Sequence, residues 1–117
     1  VISLSFAEWI KEFPGGITVA NAEGIIVEMN ERACKTFEKQ GGRKLIGRNL
    51  LDVHNEPACS KVAQMLKTRE ANSYTIEKEG IKKLIYQTPW YKESEFAGLV
   101  ELSLEISLEI PNFVRGK

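Results

Sequence analysis

Val100-Glu101-Leu102-Ser103-Leu104-Glu105-Ile106-Ser107-Leu108-Glu109-Ile110 alternates apolar and polar residues without a break. Successive side chains of an extended chain point to opposite faces, so a period of two over this length makes a β-strand with one oily and one wet side. Such a strand belongs in an antiparallel sheet that has one face on a core. The oily side (Val100, Leu102, Leu104, Ile106, Leu108, Ile110) is expected to roof the helical middle of the chain, and the polar side to meet water or a partner. Pro111, which cannot extend the ladder, is expected to stop the strand at Ile110.

Working back from that strand, Ser73 to Lys78 and Ile81 to Thr88 are β-rich runs, and Glu79-Gly80 between them is hairpin chemistry. A helix is expected from Asn55 to about Arg69: Pro57 suits a first turn, and Ala58, Val62, Met65 and Leu66 share a face with Cys59 beside it. Residues 43–55 read as short helical turns with Leu45, Ile46, Leu50, Leu51 and Val53 inward. Asn30 caps a helix carrying Ala33, Cys34 and Phe37 on one side, closed by Gly41-Gly42. Ile17 to Ala20 and Ile25 to Met29 form a hairpin around the turn Asn21-Ala22-Glu23-Gly24. At the start, Ser5 and Glu8 make a capping box and Leu4 with Trp9 a staple. Phe6, Trp9, Ile10 and Phe13 then fall on one stripe of an amphipathic helix that Pro14-Gly15-Gly16 ends.

The 117 residues suit a single domain, with 43% hydrophobic and 27% charged side chains. Sixteen basic residues balance sixteen acidic ones, so no net field draws nucleic acid or anionic lipid, and neither is expected as a partner. Two cysteines are too few for a disulfide framework and suit a reduced, cytoplasmic setting. No apolar run approaches the roughly 20 residues that cross a bilayer. The chain lacks an initiator Met and a signal pattern, which reads as a piece of a larger protein.

The element order gives an α+β class: one antiparallel sheet, with helices over one face. For the first and last strands to lie side by side a crossover is needed, and residues 30–70 can supply it. Three stretches carry a family resemblance. Asn21 to Ala33 (NAEGIIVEMNERA) resembles the first hairpin and helix start of PAS domains; Leu45 to Val53 (LIGRNLLDV) is similar to their middle segment; Gly98-Leu99-Val100-Glu101 onward resembles their last strand. The resemblance implies a five-stranded antiparallel PAS-like sheet with helices packed over one face. It divides the chain into an N-terminal amphipathic helix at 1–14, a PAS core at 15–111 and the start of a linker or terminus at 112–117.

It further implies a cytoplasmic, non-enzymatic sensory domain of a two-component or transcription regulator. Such a domain binds an unidentified small molecule between sheet and helices and relays its state to an output domain in the same chain. Members often end their last strand in Asp-Ile-Thr; here Glu105-Ile106-Ser107 keeps an acid, an apolar residue and a hydroxyl, and is the candidate relay. Candidate pocket residues are Cys34, Phe37, His54, Cys59, Val62, Met65, Tyr74 and Tyr86, with Gln87 and Trp90 nearby. The alternative for each is ordinary: small buried cysteines, core filler, tyrosines at a sheet rim. A protein–protein module with a filled core is the alternative function, forming a homodimer through Phe6, Trp9, Ile10 and Phe13 and the outer sheet face.

The cofactor is open. His54 is the only histidine, so no metal cluster is expected. Haem, which needs one imidazole, is a further alternative through His54, although that residue precedes the long helix where some PAS domains carry their ligand. Flavin is not expected, because Arg48 to Asp52 lacks the cysteine of the photoactive branch. Lys78, Lys82 and Lys83 against Glu77, Glu79 and Glu101 read as a solvated sheet face. No Ser-His-Asp set, phosphate-cradling loop or paired-carboxylate motif suggests catalysis.

Overall fold

The computed structural model describes residues 8–53 and 57–116. Its elements are helix α1 (Glu8–Lys11), strands β1 (Gly16–Asn21) and β2 (Ile26–Met29), helices α2 (Glu31–Thr36), α3 (Leu50–Val53) and α4 (Ala58–Thr68), and strands β3 (Asn72–Lys78), β4 (Ile81–Lys92) and β5 (Glu95–Ile106). Two 3-10 turns, Glu38–Gln40 and Gly42–Leu45, join α2 to α3. Ser5 of the expected capping box, Leu4 of the staple, Phe6, His54 and Asn55 lie outside the described residues.

All strand pairs are antiparallel, in the order β2-β1-β5-β4-β3. The expected five-stranded sheet is therefore present, with its first and last strands adjacent at the centre. The chain leaves β2 at one edge and must reach β3 at the other. Residues 30–71 make that crossing as helices over one face, which is why the helical middle covers the sheet rather than flanking it.

Asparagines set the joints. Asn21 accepts from the backbone of Glu23 and Ile25 (both 3.0 Å), and Gly24 turns at φ 86°. Buried Asn30 does more. Its Oδ1 accepts from Ala33 N, capping α2, and from Ile17 N on β1 (both 3.0 Å). Its Nδ2 donates to the carbonyls of Ile10 and Gly15 (both 2.9 Å). One side chain thus ties α2, β1, α1 and the segment after α1 together.

The register corrects the expected faces of the last strand. Leu99 pairs with Ala20, Glu101 with Thr18 and Ser103 with Gly16. Ala20 and Leu99 sit in the core cluster with Ile26, Met29, Ala33, Leu45, Leu50, Val62 and Met65, so the side of β5 beneath the helices is Leu99, Glu101, Ser103. Val100, Leu102, Leu104 and Ile106 point the other way. There they join Val19 and Leu84 in an outer face that is half-buried, and Leu104 lies beside Gly15 and Phe13. Alternation dictates that two unlike faces exist; which one meets the helices depends on the partner strand.

Two further expectations change. β5 ends at Ile106, not Ile110: its neighbours run out, since β1 reaches only Ser103 and β4 starts at Ile81, so Leu108 and Ile110 are left exposed. Ile46 is exposed rather than inward, because the turn closing at Leu45 buries that leucine and puts its successor outside. At its other end β5 begins at Glu95, through a tight turn at Glu93 and Ser94 with φ 51° and 70°. Neither residue is Gly or Asn, so the sequence offers no hairpin signal there. Pro89 lies within β4 but past Gln87, the last residue paired with β3, where β4 is an edge and proline is tolerated.

Candidate functional site

The helix-facing side of the sheet is built in rows, each made of residues paired across successive strands. The first row, Ile26, Ala20, Leu99 and Pro89, is apolar, and its first three members belong to the core under α3 and α4. The second is polar: Thr18, Glu101, Gln87 and Asn72 stand side by side on β1, β5, β4 and β3. The third is Gly16, Ser103, Ile85 and Tyr74. A polar row on this face needs internal partners, because the helices exclude water from part of it.

Those partners form an oriented relay. Asn72 Nδ2 donates to Gln87 Oε1 (2.9 Å), and Gln87 Nε2 donates to Glu101 Oε2 (2.8 Å). Gln87 is only 6% exposed, and Thr18 is equally buried. The buried amide is satisfied at both ends, and its polarity is fixed: an amide donor must face the carboxylate, so the carbonyl faces Asn72. Among the described residues no Lys or Arg makes an ion pair with Glu101.

Two openings adjoin the row. A cleft of about 560 Å³ lies between α4 (Ala58, Ser60, Lys61, Gln64) with Pro57 and the sheet residues Asn72, Tyr74 and Gln87. That volume falls in the range, roughly 300–1,000 Å³, of small-molecule sites. A cavity of about 220 Å³ lies under α2, walled by Ala33, Thr36 and Phe37 opposite Thr18, Tyr74, Ile85, Glu101 and Ser103, with Lys83 at one side. Tyr74 walls both. Burial and, secondarily, the Glu101 carboxylate hold its phenol pKa above the ordinary value of 10.0.

The expected site residues divide accordingly. Tyr74 and Phe37 line openings. Val62 and Met65 wall only a void of about 20 Å³, room for a single water, and belong to the core. Cys34 packs against that core, and the Cys59 thiol donates to the Leu51 carbonyl (3.3 Å). Tyr86 is a correction: paired with Leu102 on the outer face, its ring points away from both openings. Trp90 reaches the Ala20 carbonyl through its indole N–H (2.9 Å), beside Gly98, where a Cβ would collide with that same oxygen. His54 lies outside the described residues, so haem ligation through it has no geometry to weigh.

Of the relay candidates, Glu105 and Ile106 end β5 and Ser107 follows it, with Glu105 paired to Arg32 at 3.9 Å. Of the expected dimer residues, Trp9 is 57% exposed and stacks edge-on with Phe13 at 5.5 Å, while Ile10 is half-buried. The sequence reading missed Asn72, Thr18 and Glu101. Glu101 looked like one more surface charge until the register placed it opposite Gln87.

Comparison with known proteins agrees with the architecture. The sequence matches the family described as PAS, the PAS fold, over residues 6–90. Among curated proteins none matches the sequence. Several solved structures share the fold at low identity. The Aer2 receptor of Vibrio cholerae, a dual PAS-haem oxygen sensor, superposes with TM-score 0.58 at 14% identity over 80% of this chain and 95% of that one. A sensory box sensor histidine kinase from the same organism gives 0.62 at 13% identity over 88% and 90%. The Vibrio cholerae VqmA dimer, from work on LuxR-type receptors, gives 0.62 at 14% identity over 92% and 54%.

Proposed function

The chain belongs to the PAS fold family, and on that premise we propose that it is a sensory module that binds a small molecule in the cleft between α4 and the β3–β4 strands. The observation that carries this reading is the relay Asn72–Gln87–Glu101, centred on buried Gln87, which presents oriented polar groups of Asn72 and Gln87 to an open cleft of mainly apolar surface. Binding sites have that composition: mostly apolar walls and a few fixed polar groups. The module relays occupancy rather than catalysing a reaction. β5 carries Glu101, which its bond from Gln87 ties to the cleft, and Glu105-Ile106-Ser107 at its exit, so a ligand that pulls on Gln87 shifts the strand that leads out of the domain. Native mass spectrometry of freshly purified protein, with a thermal-shift screen of metabolites, tests it. A co-purified molecule, or a stabilising one whose effect is lost in Gln87→Leu, supports the reading; no bound molecule and no shift across the panel overturns it.

A second reading concerns partners and is favoured by the outer face of the sheet. Val100, Leu102, Leu104 and Ile106 of β5, Leu84 of β4 and Val19 of β1 form an apolar surface that is only half-buried, with exposed Tyr86 on the same side. We propose that a second copy of the chain covers it, together with Trp9 of α1. Light scattering that reports a monomer at all concentrations would sink this second reading and leave the first untouched.

A further inference from the structure

We propose that the ligand is an organic ammonium ion, a primary amine on an apolar body, whose nitrogen sits on the Glu101 carboxylate. This rests on the sensory reading above and narrows it, with one change of place: Glu101 lines the cavity under α2 and not the α4 cleft, and Tyr74 walls both. The argument is an inventory of what the polar row has left to offer. The donors of Gln87 and Asn72 that the relay fixes are spent inside the protein, one on Glu101 Oε2 and one on Gln87 Oε1. Each amide keeps a second N–H, but neither Gln87 nor Asn72 lines the cavity under α2; the negative charge on its wall is the Glu101 carboxylate, with the hydroxyls of Thr18, Ser103 and Tyr74, which can turn to accept or donate, around it. A cavity with adaptable hydroxyls and a negative charge without an ion-pair partner among the described residues is complementary to a cationic donor.

The positive groups nearby do not fill that role. Lys83 lies on the cavity wall but two rows beyond Glu101, opposite Glu105 in the strand register, and Arg32 reaches that glutamate at 3.9 Å. Lys61 belongs to α4 on the opposite wall of the larger cleft. The apolar body has its place too, since Phe37, Ala33 and Ile85 wall the same cavity and the Tyr74 ring divides it from the cleft. An aromatic ring beside a carboxylate suits an ammonium group twice over, through charge and through the ring face.

The test uses three probes of nearly one shape: phenethylamine, phenethyl alcohol and hydrocinnamate, titrated into isotope-labelled protein while the backbone amides of Asn72, Gln87 and Glu101 are followed. The expected result is an amine Kd at least tenfold below that of the alcohol, with the carboxylate weakest. Glu101→Gln keeps an acceptor for Gln87 Nε2 and removes the charge, so the same experiment on that variant should erase the amine preference while the alcohol's Kd stays put. Equal affinities in the wild type, or a preference that survives Glu101→Gln, overturns the ammonium assignment. If alcohol or carboxylate shifts these amides as strongly as amine, the cleft reading stands and only the ligand class falls. If no probe moves them, the ligand class falls, and the metabolite screen alone then decides the cleft.

Discussion

Single residues hold more of this fold than their size suggests. Asn30 offers both ends of its amide to four backbone groups, so truncation strips a partner from Ile17 N, Ala33 N and the Gly15 and Ile10 carbonyls, of which Ile10 keeps Phe13 N. A lost cap and buried unsatisfied groups together predict that Asn30→Ala lowers stability by about 3 kcal/mol, read from the urea midpoint at unchanged m-value. Tyr74 makes a pH prediction. Its pKa is raised first by burial and then by Glu101. The unfolded phenol ionises before the folded one, so any stability tied to this group is complete below pH 10 and declines as pH climbs toward the folded pKa. In a phenolate absorbance titration one of the three tyrosines should lag. In Glu101→Gln the lag should shrink without vanishing, since burial is the larger cause.

At the scale of elements, the turn joining β4 to β5 is built from residues that resist it. Glu93 and Ser94 both hold positive φ, a conformation that side chains disfavour and glycine does not. Ser94→Gly should stabilise the protein by about 0.5 kcal/mol in chemical denaturation, strain relief outweighing the added freedom of the unfolded chain. The same turn marks the limit of what the sequence shows. Strands carried by strong signals, the Asn21–Gly24 hairpin and the Glu79-Gly80 hairpin, are legible because glycine announces the turn. The Glu93-Ser94 turn is silent, so β4 reads as ending, and β5 as beginning, several residues away from it. The parity of β5 is silent for another reason. Its alternation is visible in one strand, but its orientation is a property of two, fixed only when Leu99 meets Ala20. The candidate site inherits that gap: Tyr74 and Phe37 are legible as aromatics near a sheet, whereas the row through Thr18, Glu101, Gln87 and Asn72 exists only once four strands are in register.

For the whole molecule, the central fact is a sheet with a helix-covered side of alternating apolar and polar rows and an apolar outer side that is only half covered. If a second copy completes that cover, thermal stability should rise with protein concentration, because a folded dimer is favoured over unfolded chains by mass action. Leu102→Lys, which places a charge in the middle of the outer face, should remove that dependence and give a monomer by light scattering without disturbing the helix-covered core. The pairing of β1 with β5 has a consequence of its own. Since Gly16 lies opposite Ser103, the polypeptide enters the sheet and departs from it at one pole, through two neighbouring strands. Segments joined on either side emerge as a pair, like two reins through one ring. A small sliding of β5 against β1 would therefore be felt as a change in their relative pull, with no need for the rest of the sheet to move.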